Sequence, residues 1–292
     1  MPKRNSLVSL LVIAGLWSVA HPAYGQALVP HVLQLDSEQL EQQGLSLAQE
    51  AAQLAQFQQY DLALARAQLA SQLLPSNADI WALLGSLHLQ LDQTDDGIQA
   101  LLKARSLDRE NAAVLFALGS AYFQKENYDS AIQYLQAGLR LNPETPGALF
   151  DLGNAYYKLS RYDDAIEQYE KAVEIDEQFW PAVNNIGLVL YEQGDIEGAL
   201  EKWQQAVSID GNQAEPQLAI AVSLYAQGQT DAGITQGEAA LRLDSRYADL
   251  EFLQENLWGD RLLTDARAFL AQPQIREVLA QLSGTTPEPS PQ

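Results

Sequence analysis

A period of 34 residues constrains this chain more than anything else in it. Rows of that length start at Gly44, Ala78, Ala112, Pro146, Trp180 and Ala214, with no insertion between them. The eighth place reads Ala51, Gly85, Gly119, Gly153, Gly187 and Ala221. The twentieth reads Ala63, Gly97, Ala131, Ala165, Ala199 and Gly233, and the twenty-seventh Ala70, Ala104, Gly138, Ala172, Ala206 and Ala240. The seventh is a large apolar residue in five rows (Leu84, Leu118, Leu152, Ile186, Ile220) and Glu50 in the first. Within a row, apolar residues at places 4, 7, 8 and 11 form one helical face, and places 20, 24 and 27 form a face on a second helix. Small residues at 8, 20 and 27 let the two helices approach closely. A turn falls between them, as in Ser160 to Asp164 and Glu192 to Ile196. Each row is thus a helical hairpin. One hairpin cannot bury its own apolar face, so it needs a neighbour on each side.

Six such hairpins in register resemble the tetratricopeptide repeat family. Trp81, Leu84, Gly85, Ala104, Tyr122, Ala131 and Pro143 stand at its signature places. The resemblance implies an all-α fold: a right-handed superhelical solenoid of six 34-residue helix-turn-helix repeats, closed by C-terminal capping helices. The repeats cover 44–77, 78–111, 112–145, 146–179, 180–213 and 214–247, within a domain of 37–247 that includes a short N-terminal helix extension. The first row departs from the pattern at Glu50 and Ala67, and the last at Gln217, Gly233 and Gly237. After it, Leu250, Leu253, Leu257, Leu262, Leu263, Phe269 and Leu270 suggest capping helices over 248–282. Phe252 or Trp258 is expected to fill the space left by Gly233 and Gly237. Residues 283–292, rich in Pro, Ser and Thr, read as a disordered tail.

The N-terminus reads as an export signal over 1–25. Lys3 and Arg4 precede an apolar run from Leu7 to Ala20, and Ala23 and Gly25 are small residues before a cut at Gln26. Residues 26–36 read as a linker. The run has 14 residues, short of the roughly 20 that span a bilayer, although an uncleaved anchor is the alternative. The formal net charge is −21, with 17 Lys and Arg against 38 Asp and Glu. Such a chain repels phosphate backbones and anionic lipid, so no nucleic-acid partner is expected, and membrane contact only through a partner or the uncleaved signal.

Two adjacent tyrosines pose the site question. Side by side on a helix, Tyr156 and Tyr157 point about 100° apart. Tyr156, at place 11, is expected to pack against the second helix of its own repeat. Tyr157 is at place 12, a column that also holds Phe123, Tyr191 and Tyr225. Place 5 shares that face and holds Phe116, Phe150 and Asn184. In the family this face of the first helices lines a concave groove that holds extended peptides or helices. By resemblance, the partner groove comprises Phe116, Phe123, Phe150, Asn154, Tyr157, Asn184, Asn185, Tyr191 and Tyr225. Exposed rings gathered on one face mark binding. Some family members grip a C-terminal carboxylate with lysines, arginines and asparagines. Asn154 and Asn185 match that clamp's asparagine places, but its basic places hold Phe150, Glu215 and Ala219. The groove places carry one base, Lys158, against Asp79, Asp151, Glu192 and Glu215. A protein partner offering an apolar or weakly basic segment is expected.

Catalytic chemistry is not readable. There is no cysteine, so thiolate nucleophiles, disulfides and cysteine zinc sites are excluded. His31 falls in the linker, and His88 occupies a packing place filled by Tyr122 and Tyr156 in other rows. The stretch from Asp92 to Gly97 lacks a calcium loop's ligands, with Thr94 third and Lys103 twelfth. No cofactor and no metal are expected. The leading expectation is an exported, non-enzymatic scaffold for complex assembly. The alternative is an accessory subunit of a cell-envelope enzyme complex acting on cell wall or polysaccharide. The stretch from Phe252 to Leu270 resembles the ends of repeat proteins from photosynthetic microbes, which implies the thylakoid lumen or the periplasm.

Overall fold

The computed structural model describes residues 36–284. The export signal at 1–25, nearly all of the linker and the tail beyond 284 lie outside the described residues. All regular structure within them is helical. Six helical hairpins follow one another: α1 Ser37–Gln56 with α2 Tyr60–Leu73, α3 Ala78–Gln90 with α4 Thr94–Leu107, and α5 Ala112–Gln124 with α6 Tyr128–Leu141. Then come α7 Pro146–Lys158 with α8 Tyr162–Ile175, α9 Trp180–Gln193 with α10 Ile196–Ile209, and α11 Ala214–Ala226 with α12 Thr230–Leu243. A 3₁₀ turn, Ser245–Ala248, leads into α13 Leu250–Glu255, α14 Asp260–Leu270 and α15 Pro273–Leu282. Each second helix packs on its own partner, and the first five also pack on the first helix of the next pair. The result is an all-α repeat solenoid.

The turn inside each hairpin is the same left-handed bend. It falls at place 15 of every row: Gln58, Asp92, Glu126 and Ser160 have φ of 58°, 56°, 57° and 56°, and Gly194 and Gly228 have 89° and 82°. Four rows hold an L side chain in a conformation that only glycine adopts freely. Hydrogen bonds hold the bend: Glu126 N donates to Phe123 O at 2.8 Å, and Ser160 N to Tyr157 O at 2.8 Å. Entry into the first helices is capped where asparagine precedes them. Asn77 Oδ1 accepts from Ile80 N at 3.1 Å, and Asn111 Oδ1 from Val114 N at 3.2 Å.

The core is built from place 24 of one helix over place 8 of the other. Leu101, Leu135, Tyr169 and Trp203 lie against Gly85, Gly119, Gly153 and Gly187, where any Cβ would collide with them. All four are fully buried, and Trp203 Nε1 donates to Asn184 O at 3.2 Å. In the sixth row place 24 is Gly237, and no large side chain of that row can fill the space. Phe269 of α14 does so, fully buried, with its ring where a Gly237 Cβ would stand. This corrects the expectation of Phe252 or Trp258. Phe252 instead meets Tyr247 edge-on at 5.0 Å, and Trp258 is buried against Glu215. Gly233 leaves no space to fill, because a Cβ there would come within 2.8 Å of Ala221 O and 2.9 Å of Tyr225 N.

Candidate partner-binding groove

The face that carries places 5, 9 and 12 is not one open groove. The chain doubles back after α12, and α14 packs on α9 and α11 across this face, while α15 packs on α12. Glu192, at place 13 of the fifth row, receives the N-terminus of α14. Its two carboxylate oxygens accept from Arg261 N at 3.1 Å and Leu262 N at 3.0 Å, satisfying amides that have no partner within the helix. The Tyr191 hydroxyl donates to Asp265 Oδ2 at 2.7 Å. Tyr225 meets Phe269 edge-on at 5.7 Å, and its hydroxyl accepts from Gln272 Nε2.

Tyr157 is therefore not available, contrary to expectation. It is 8% exposed, hardly more than Tyr156 at 5%. Its ring lies 5.8 Å from that of Tyr162, and a Cβ on Gly259 would come within 2.6 Å of its hydroxyl oxygen. Burial, reinforced by the nearby Glu192 carboxylate, raises its pKa well above the usual tyrosine range. Tyr156 is buried, and its polar contacts reach the preceding repeat and the turn before α8: its hydroxyl accepts from Gln136 Nε2 of α6 at 2.8 Å, and the Arg161 guanidinium lies 4.3 Å from its ring centre. Tyr191, 2% exposed, and Tyr225 are likewise engaged by the chain's own C-terminal helices. Phe116 turns toward its own hairpin, over Gly138. Asp265 and Gln272 were not anticipated from the sequence, and Glu192 and Phe269 only as a groove acid and a capping residue; the trace of this docking is the helical spacing of the buried Leu262, Ala266 and Phe269 on α14 and Ile275 on α15.

The remaining residues do come together. Phe123, Phe150, Asn154, Asn184 and Asn185 line a cavity of about 310 Å³, with Trp180, Glu215, Tyr247 and Glu255 among its other walls. Phe150 is half-buried, with Tyr169 at 5.8 Å and Phe179 edge-on at 5.6 Å. The asparagines form a chain: Asn184 Nδ2 donates to Asn185 Oδ1 at 3.1 Å, and Asn185 Nδ2 to Asn154 Oδ1 at 3.0 Å. Asn154 Oδ1 also accepts from the Tyr169 hydroxyl at 2.7 Å. Beside it, a smaller hollow of about 170 Å³ is lined by Ser120, Phe123, Gln124, Asp151 and Asn154. Burial raises the Asp151 carboxyl, partly offset by the Ser120 hydroxyl donating to it at 2.8 Å.

Glu215 is among the lining residues of the larger of these two cavities. It is 7% exposed. Trp258 Nε1 donates to its Oε1 at 3.2 Å, and the Tyr247 hydroxyl to its Oε2 at 3.5 Å. Burial pushes its pKa up to about 7, although hydrogen bonds from Trp258, Asn184 and Tyr247 act in the opposite sense. A broader depression of about 590 Å³ lies between α6, α7 and α8, with Gln136, Arg140, Tyr156, Glu167 and Lys171 in its walls. It lies away from the asparagine chain, and Lys171 is already paired with Glu167 at 2.6 Å.

Repeated hairpins with glycine under a large side chain define a helical repeat scaffold. The Tetratricopeptide repeat family model matches residues 82–147, 116–183, 150–215 and 184–248, and the chain belongs to this family. Among solved structures it is similar to MamA, at 27% identity and a TM-score of 0.52, over 55% of this chain and 94% of that one. It shares its fold with YrrB, described as a TPR protein with an unusual peptide-binding site, at 22% identity and a TM-score of 0.54, over 65% and 95% of the two chains. It also shares its fold with pilF of Pseudomonas aeruginosa, at 19% identity and a TM-score of 0.61, over 76% and 98%. No curated protein matches the chain.

Proposed function

We propose that this protein is a non-catalytic scaffold that holds a segment of a protein partner at the open part of the groove face. The observation that carries this reading is the cavity lined by Phe123, Phe150, Asn154, Asn184, Asn185 and Glu215. Its walls combine aromatic rings with amides and a carboxylate, a mixture suited to anchoring a peptide side chain and its neighbouring backbone. Family membership supports a role in protein interaction, and YrrB, which shares the fold, is described with a peptide-binding site. The groove narrows relative to the sequence expectation: α14 covers the C-terminal ends of α9 and α11, at Tyr191, Glu192 and Tyr225, so the partner lies across the third and fourth rows and the N-terminal ends of α9 and α11, and ends against α13. We further propose export, with a mature chain starting at Gln26, and a role in assembling a periplasmic or lumenal complex at a membrane. No helix among the described residues is long and apolar enough to cross a membrane.

Affinity capture from native membranes followed by mass spectrometry tests the reading. The wild type should retain a defined set of proteins, and Phe123→Ala combined with Trp180→Ala should lose them while keeping the helical circular dichroism of the wild type. Unchanged capture by that variant refutes the groove assignment. A purified native protein that still carries Met1 refutes cleavage at Gln26.

A further inference from the structure

The cavity at Glu215 is rich in acceptors and has no cation of its own. Its walls hold no lysine, arginine or histidine. Glu215 is buried, and its partners, the Trp258 indole, the Tyr247 hydroxyl and the Asn184 amide, are all neutral donors. Buried carboxylates are normally paired with a charge, because removal from water penalises the ionised form. A second observation is independent of that charge. Asn184 lines the same cavity and is 1% exposed, yet its Oδ1 accepts no hydrogen bond among the described residues. Buried acceptors are almost always satisfied, so this one calls for a donor from outside the chain. Glu255 adds a further carboxylate to the wall, while Phe150, Trp180 and Tyr247 supply ring faces.

Resting on the scaffold reading above, we propose that this cavity takes the cationic side chain, lysine or arginine, of the partner segment. The side chain's N–H groups meet the Glu215 carboxylate and Asn184 Oδ1, and its aliphatic stem lies along Phe150 and Trp180. Three features converge on this ligand. The donors supply what Asn184 and Glu215 lack, the positive charge matches a chain of net charge −21, and the stem matches the rings. At about 310 Å³, the cavity is at the small end of ligand sites, sized for one side chain rather than a whole cofactor.

The Trp258 indole, which donates to Glu215, is a built-in reporter. Full-length protein labelled with ¹⁵N is titrated with N-acetyl-lysine methylamide, its arginine analogue, the norleucine analogue and spermidine, following the indole N–H resonances. The lysine or arginine compound should shift the Trp258 signal saturably, and norleucine should not. Glu215→Gln should weaken the lysine compound about tenfold or more, since a buried carboxylate facing a cation is removed. If that variant unfolds, Asn184→Ala provides the second reading and should weaken binding as well. Equal shifts by norleucine and lysine overturn the proposal, as does undiminished binding in either folded variant or no saturable shift by the lysine or arginine compound. Spermidine that binds while both amino-acid compounds fail assigns the site to a free polyamine and equally overturns it. Failure here with partner capture intact leaves the scaffold reading standing; loss of the scaffold reading is scored separately by the Phe123 and Trp180 variant.

Discussion

Tyr191 donates a 2.7 Å hydrogen bond to Asp265, joining the fifth repeat to α14 across 74 residues of sequence. With Glu192 capping the same helix next door, it turns a groove-lining column into a docking site for the chain's own C-terminus. Glu192→Ala should destabilise the protein by about 1–2 kcal/mol, as loss of a cap does, and Tyr191→Phe by about 1 kcal/mol. Hydrogen exchange should localise both losses, speeding the amides of Arg261 and Leu262 while leaving Leu118 unchanged. Uniform acceleration along the solenoid would contradict this docking.

Tyr156 and Tyr157 should both behave as core residues. Each alanine variant should cost about 3–5 kcal/mol in chemical denaturation, since both rings are almost wholly buried. They differ in what they support. Tyr157→Ala should also loosen α14, through Gly259 and Glu192, whereas Tyr156→Ala should not. A cost for Tyr157→Ala within the range of surface changes would restore it to an open groove.

Gly237 and Phe269 should be coupled. Phe269→Ala should cost about 3–5 kcal/mol, and Gly237→Ala about 1–3 kcal/mol by crowding the ring. In the Phe269→Ala background Gly237→Ala should turn neutral or stabilising, because the added methyl enters the vacated space and alanine favours the helix. Additive losses in a double-mutant cycle would break the link.

Glu215 should make stability fall as pH rises. Its carboxyl moves from an ordinary 4.5 to about 7 in the folded protein, chiefly through burial. Between these values the folded state holds a proton that the unfolded chain has released, so unfolding free energy declines with pH across that window. Below pH 4.5 the effect vanishes, and above pH 7 it is complete. The wild-type Tm should therefore drop more than that of Glu215→Gln over this range, and parallel curves would exclude the buried carboxyl as the cause.

The sequence by itself determined the repeat. Apolar and small residues at fixed places within 34 residues dictate hairpins, because each contact they make is local and recurs in every row. Place 8 glycine beneath place 24 leucine, tyrosine or tryptophan could be read without any coordinates. That the asparagines and rings of the third to fifth rows share one face was legible for the same reason, and the resemblance to the family marked that face as a groove. Only the tertiary structure decided which of them stay open. The return of α14 depends on contacts such as Tyr191 to Asp265 and Phe269 to Gly237, made between segments that share no period and lie tens of residues apart. Such pairings add nothing to the 34-residue period. Periodicity therefore identified the face, while non-local packing closed its far end and left Glu215 and Asn184 lining the cavity that remains.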